Sequence, residues 1–147
     1  MSTTSNASSR DMYMMKADGS GLTQLTASLG NEMNAWWAPD GSIYFLSSRG
    51  GSNQVWRADR DGQAAAQVTS LPVDVTHFRI SADGRDLVLA AAVFLDCPDL
   101  ACTRDRLKAQ ADNKSTVRAY DRLPLRPWDT WNDGRRSHLF AQPLNGS

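Results

Sequence analysis

The chain has 147 residues, of which 41% are hydrophobic and 22% charged, and its sixteen basic residues balance sixteen acidic ones. This composition is typical of one globular domain and argues against a disordered chain. The balanced charge provides no basic surface for nucleic acid or for an anionic membrane, so neither is expected as a partner. The longest apolar run, LVLAAAVFL at 87–95, has nine residues, whereas a membrane-spanning helix needs about 20.

The chain begins with a polar stretch, MSTTSNASSR, which lacks the apolar segment of a secretory signal. We therefore predict a disordered leader over 1–10 and one folded domain over 11–147. In that domain, short runs with strand character alternate with tight turns. Three of these turns carry the predicted structural residues Asp40, Gly41, Asp61, Gly62, Asp83 and Gly84. Glycine tolerates the positive φ of such turns, and each Asp is expected to bond the local backbone rather than a calcium ion.

The best-defined unit contains four predicted strands. The short run after Asn34 ends at the Pro39 turn, and SIYFLSS (42–48) is rich in aromatic and β-branched residues. QVWRAD (54–59) alternates apolar and polar residues, which is the pattern of a half-buried strand, and AAQVT (65–69) follows as the outer strand.

The unit recurs at an offset of 43 residues. This offset places Asp40-Gly41 on Asp83-Gly84, and LTQLT (22–26) on AAQVT (65–69). The third copy is interrupted after DLVLAAAVF by an insertion over 96–133, and its third strand is predicted at 138–146, with Phe140 in the place of Trp56. The insertion contains a predicted helix, TRDRLKAQADNK (103–114), with Thr103 as its N-cap.

Four strands in about 40–45 residues are typical of one blade of a β-propeller. We predict an all-β fold, a partial propeller of about 2.5 four-stranded blades with a short helix in the insertion. The partial blade spans 11–30, the full blade 31–72, and the insertion-bearing blade 73–147. Complete propellers have about four to eight blades, so we expect either a piece of a longer polypeptide or self-association through open edges.

The two cysteines, Cys97 and Cys102, are separated by four residues. They are compatible with a local disulfide in an oxidising compartment or with free thiols, and a metal or redox centre is the least favoured interpretation. A disulfide would favour the bacterial periplasm over the cytoplasm, but the pair alone does not decide the compartment.

Two sets of residues resemble a known family. The stretch APDGSIYFLSSRGGSNQVWRADRDGQAAAQVT (38–69) resembles the blades of TolB and of the N-terminal propellers of prolyl-oligopeptidase-family serine peptidases. The segments VFLDCPDLACTRDRL (93–107) and YDRLPLRPWDTWNDGRRSHLF (120–140) look like the insertion-bearing blade of bacterial dipeptidyl-peptidases and acylaminoacyl-peptidases. This resemblance implies a parent in which the propeller caps an α/β-hydrolase domain and gates and positions peptide substrates.

Four insertion residues are the candidates for substrate gating or for contact with that domain: Arg122, Arg126, Trp128 and Trp131. Packing of the two tryptophans against the blade and ion pairs of the arginines with Asp121 and Asp129 are the competing interpretations. Trp36, Trp37 and Trp56 are expected to pack between blades.

Nothing in the sequence predicts catalysis by the chain itself. The Gly-x-Ser-x-Gly elbow of hydrolases does not occur, and His77 and His138 fall at strand positions. No cofactor or metal is expected. The alternative function, from another class, is a TolB-like scaffold for protein–protein binding without enzymatic activity.

Overall fold

The computed structural model describes residues 9–113 and 133–144. These residues form nine strands and one helix, which in chain order are β1 (Tyr13–Met14), β2 (Thr23–Gln24), β3 (Glu32–Trp37), β4 (Ile43–Ser47), β5 (Gln54–Ala58), β6 (Ala66–Gln67), β7 (Val75–Ile80), β8 (Asp86–Val93), α1 (Leu100–Asp112) and β9 (Arg136–Pro143).

The strands form three antiparallel sheets: a two-stranded sheet β1-β2, a four-stranded sheet β3-β4-β5-β6 and a three-stranded sheet β7-β8-β9. In each sheet the strands follow one another in chain order, as in a meander. The prediction of an all-β chain with one short helix is therefore confirmed. Among the described residues, no helix is long and apolar enough to cross a membrane.

The pairing of the strands follows the 43-residue repeat, with one deviation. β3 and β7 begin and end 43 residues apart. The first turn closes when Ala38 N–H donates to the Ser42 carbonyl, whereas the equivalent turn runs from Ser81 to Asp86 and is one residue longer. The following strands are consequently offset by 44 residues, yet Phe45 pairs with Trp56 and Leu89 with Phe140, so Phe140 does occupy the place of Trp56.

Two apolar clusters hold the sheets together, and β4 contributes to both. Ile43 and Phe45 pack with residues beside the first sheet, in the cluster Met12, Leu25, Ile43, Phe45 and Ala58. The opposite face of β4 packs against the third sheet, in the cluster Tyr44, Leu46, Val55, Val75, Phe78, Ile80, Leu87 and Leu89. All five β4 residues are buried, which agrees with the nearly continuous apolar run of its sequence.

The helix begins earlier than predicted. α1 starts at Leu100, and the N-cap is Asp99, whose carboxylate accepts a hydrogen bond from the backbone N–H of Cys102 at 2.7 Å. Thr103 is not the N-cap: it is completely buried within the helix, and its hydroxyl accepts a hydrogen bond from the Phe94 N–H. Asp and Thr are both good N-caps, and the carboxylate upstream takes this position.

Of the three tryptophans expected to pack between blades, Trp56 does so, whereas Trp36 and Trp37 remain largely exposed, although Trp36 contacts Arg79 of the next sheet. Trp36 is 42% and Trp37 48% exposed, while Trp56 is half-buried against the first cluster. A β-bulge between Met33 and Trp36, with Asn34 at φ 55°, interrupts the alternation of β3. Bulges of this kind redirect side chains, and here both indoles remain at the surface.

Candidate functional site

The four insertion residues predicted to gate substrate, Arg122, Arg126, Trp128 and Trp131, lie outside the described residues. Their role therefore stays a prediction.

The predicted turn residues form tight turns. Gly41, Gly62 and Gly84 all have positive φ, at 82°, 75° and 72°. The Asp40 carboxylate accepts hydrogen bonds from the Ser42 N–H at 2.9 Å and from the Ser42 hydroxyl at 2.6 Å. These bonds, followed by the nearby Arg57 guanidinium, lower the pKa of Asp40 to about 2. A carboxylate engaged in this way holds the local backbone.

The later turns differ in detail. The Asp83 carboxylate accepts bonds from the Ser81 hydroxyl and the Arg85 N–H, and the Ser81 bond is the main reason that the pKa of Asp83 is lowered. In the turn at 59–63, however, the backbone-bonding carboxylate is that of Asp59, which accepts from the N–H groups of Asp61 and Gln63. The expectation that Asp61 plays this part is wrong, because Asp59 occupies the first position of the turn.

The insertion begins with a cross-linked loop. A disulfide joins Cys97 to Cys102, whose Cα atoms are 5.5 Å apart, and so ties the loop after β8 to the first turn of α1. Arg106, one turn further along the helix, bonds the Asp96 carboxylate at 2.7 Å and lies 4.2 Å from the Phe94 ring centroid. The hydrogen bond from Arg106 lowers the pKa of Asp96. An apolar cavity of about 230 Å³ lies beside this loop and is bounded by the loop residues and by His138 and Phe140 of β9.

A buried ionic network lies at the start of the four-stranded sheet. The Glu32 side chain is fully buried, and its Oε1 accepts hydrogen bonds from the Ser28 and Ser47 hydroxyls and from Arg49 at 3.2 Å. The Arg49 guanidinium also lies 5.2 Å from the Phe45 ring centroid and 4.9 Å from that of Trp56. The second carboxylate oxygen, Oε2, has no partner among the described residues.

Ser28 and Arg49 of this network also line a polar cavity of about 350 Å³ between the first two sheets. Sequence reasoning missed the network, because a single Glu in a strand resembles a solvent-facing residue. The spacing Ser47-x-Arg49, directly across from Glu32 in the hairpin, is the signal that could have indicated it.

A second arginine–tryptophan contact joins the first strands of two sheets. The Arg79 guanidinium of β7 lies 4.8 Å from the Trp36 ring centroid of β3, and its Nη1 donates to the Phe78 carbonyl at 2.9 Å. Both side chains are exposed. This pair was also missed, since nothing local in either strand indicates that they meet.

The two histidines lie on strands that flank β8. His77 pairs with Ala90 from β7, and His138 pairs with Ala91 from β9. Within the described ranges, no group of three or more His, Cys, Asp or Glu side chains is arranged to hold a metal ion. The described residues thus offer tight turns, ion pairs, one disulfide and exposed aromatic groups.

The chain forms sheets of antiparallel strands in chain order, which repeat at 43 residues with an Asp-Gly turn after the first strand. This arrangement defines the chain as part of a β-propeller. The model of the TolB beta propeller domain family matches residues 1–94. The chain belongs to this family, and the predicted partial propeller is confirmed.

Similar proteins extend the likeness over the rest of the chain. Dipeptidyl-peptidase 5 of Porphyromonas endodontalis is 29% identical over 140 residues, covering 95% of this chain and 19% of the relative. Dipeptidyl-peptidase 5 of Porphyromonas gingivalis is 28% identical over 148 residues, covering 96% of this chain and 20% of the relative. The chain thus spans about a fifth of the length of these relatives.

A solved structure described as TolB from Agrobacterium tumefaciens superposes with a TM-score of 0.53 at 31% identity. The match covers 60% of this chain and 32% of that structure.

Proposed function

We propose that this chain is a non-catalytic propeller segment of a serine peptidase, in which it helps to gate and position peptide substrates for an α/β-hydrolase domain. The observation that carries the proposal is the similarity to two dipeptidyl-peptidases, which extends over 95% and 96% of the chain and so includes the insertion. The family model, by contrast, ends at residue 94, just before the insertion begins.

The arrangement of side chains supports a binding role rather than a catalytic one. Ser42 takes part in a turn and Ser47 in the Glu32 network, and the hydroxyls of these two serines bond carboxylates and not a histidine. An activated serine needs an adjacent base within hydrogen-bond reach. The chemistry of the parent is accordingly assigned to a hydrolase domain, and the remainder of the propeller and that domain are the proposed partners.

The proposal is tested first on the gene. Reading the open reading frame downstream of Ser147 should reveal a Gly-x-Ser-x-Gly elbow within a few hundred residues. The purified 147-residue chain should not hydrolyse a dipeptidyl chromogenic substrate. Hydrolysis by the pure chain, or a reading frame that contains only further blades, would contradict the proposal.

The gating role of the insertion needs a separate experiment in the parent enzyme. Arg126→Gln and Trp128→Ala should change KM for long peptides and leave kcat on a dipeptidyl substrate nearly unchanged, because they would act on access rather than on chemistry. Arg60→Gln, in the turn between β5 and β6, is the matched control. Equal effects on short and long substrates would assign these residues to packing.

The second candidate is a TolB-like scaffold that binds other proteins without enzymatic activity. The structural likeness to TolB from Agrobacterium tumefaciens favours it. The scaffold candidate predicts that the downstream reading frame encodes further blades and then a stop codon, without a Gly-x-Ser-x-Gly elbow. The same reading frame therefore distinguishes the two candidates.

A further inference from the structure

Three arginines in the described part of the chain lie over aromatic rings, and two of them also hold a carboxylate. Arg49 lies over the rings of Phe45 and Trp56 and bonds Glu32. Arg106, stacked on Phe94, bonds Asp96. In both places the guanidinium lies over an aromatic ring and also forms an ion pair with a carboxylate.

The third stacked arginine, Arg79, lacks this second partner. It lies over Trp36, and Nη1 donates to the Phe78 carbonyl. Within residues 9–113 and 133–144, no carboxylate forms an ion pair with Arg79. Among the described residues, the rest of its guanidinium edge is therefore left for another acceptor, and the ring contact has already restricted the side chain.

The position of Arg79 favours an external ligand. β3 and β7 are the edge strands of their sheets and contact each other, and the first strand of a blade faces the axis of a propeller. Trp37 and His77 on these strands are exposed, and the single acid of the two strands, Glu32, is buried against Arg49. This strand pair therefore presents aromatic and cationic groups without an exposed carboxylate.

We propose that the Trp36–Arg79 pair is a binding site for the carboxylate of a short peptide, with the guanidinium edge bonding the carboxylate and the Trp36 indole contacting the adjoining side chain. The inference rests on the proposed function, since it assumes that the propeller meets peptides. It specifies which residues make the contact and which group of the peptide they bind.

The test uses the full 147-residue chain and alanine tripeptides, measured by calorimetry and by the ¹⁵N–¹H signal of the Arg79 side chain. One tripeptide has a free C-terminal carboxylate, the second is its C-terminal amide, and a third carries an Asp side chain between blocked ends. We expect the free acid to bind about 10-fold more tightly than the amide, because a charge-assisted bidentate bond is lost in the amide. The Asp peptide distinguishes a terminal carboxylate from a side-chain carboxylate.

Arg79→Gln should abolish the preference for the acid, whereas the matched control Arg60→Gln should retain it. Circular dichroism verifies that both variants are folded. Equal affinity for acid and amide, a preference that survives Arg79→Gln, or no binding of any peptide by the wild-type chain would overturn the inference. The proposed function is judged separately by the downstream reading frame, so the two failures are distinguishable.

Discussion

Glu32 and Val75 occupy the same place in two successive sheets, and their surroundings differ completely. Each is the first residue of its sheet's first strand, and they pair with Ser47 and Ala91 respectively. In the four-stranded sheet Glu32 forms an ion pair with Arg49, whereas in the three-stranded sheet Val75 and Ala91 are both fully buried and Val75 belongs to an apolar cluster. The two positions keep the same backbone pairing but differ in side-chain polarity. A polar residue at this position therefore needs polar partners around it, and an apolar residue needs apolar ones.

The largest effect is expected when the polar residue is placed in the apolar site. Val75→Glu would bury a carboxylate without the hydroxyls and guanidinium that surround Glu32, at a cost above about 3 kcal/mol. Urea unfolding followed by circular dichroism measures it. Thr76→Glu, at the exposed neighbouring position, should cost much less; similar losses in both variants would show that charge in the strand, and not burial, is responsible.

Removing the acid from the polar site is expected to be nearly as costly. Glu32→Ala leaves Arg49 half-buried without its carboxylate, which should destabilise the chain by about 3 kcal/mol. The triple variant Glu32→Val, Ser47→Ala and Arg49→Val reproduces the apolar site and should return to within about 1 kcal/mol of wild type. A triple variant as unstable as Glu32→Ala would show that the two sites are not interchangeable.

The two sheets also differ in the connection after their second strand. In the four-stranded sheet a short loop follows β4, whereas in the three-stranded sheet the cross-linked insertion follows β8. Cys97→Ser with Cys102→Ser should cost about 2 kcal/mol, because a small closed loop is opened in the unfolded chain. Hydrogen exchange should accelerate over 100–112 and remain unchanged in β4 and β5. Faster exchange spread evenly over all strands would mean that the disulfide stabilises the whole domain instead of the helix.

The smallest effect concerns the first Asp-Gly turn. The pKa of Asp40 in the folded chain, about 2, lies below its ordinary value of 3.8, so its carboxylate stabilises the fold above pH 4 and this contribution is lost as the pH falls towards 2. Because the side chain is 57% exposed, Asp40→Asn should cost less than about 1 kcal/mol at neutral pH. Thermal unfolding from pH 2 to 7 measures this, with Asp61→Asn as the control, since Asp59 serves that turn. A larger loss for Asp61→Asn would contradict the assignment.

Much of the fold could be predicted because turn chemistry and strand alternation are local. The Asp-Gly turns and the place of Phe140 follow from spacing alone. The additional residue in the second Asp-Gly turn, Arg85, could not be predicted from the repeat. It follows Asp83-Gly84, so these two residues still lie 43 positions after Asp40-Gly41. The predicted start of the helix is wrong because Asp99 and Thr103 are both acceptable caps, and the sequence alone does not rank them.

The candidate sites could be predicted far less well. Glu32 and Arg49 meet only when β3 and β4 pair, and Arg79 reaches Trp36 only when two sheets come together. The first contact needs the register of a hairpin and the second needs two sheets to come together, so a pattern within a single strand encodes neither. The bulge between Met33 and Trp36, with Asn34 at positive φ, likewise has no signal in the composition.

The pairing of β9 has a consequence for the order in which the chain folds. Six residues connect β4 to β5, whereas forty-two separate the paired Val93 and Arg136. Closing the longer connection costs roughly 2 kcal/mol more in chain entropy. The β4–β5 hairpin is therefore available early as a template, while the edge of β8 stays open until a distant part of the chain arrives, which exposes that edge to mispairing during synthesis.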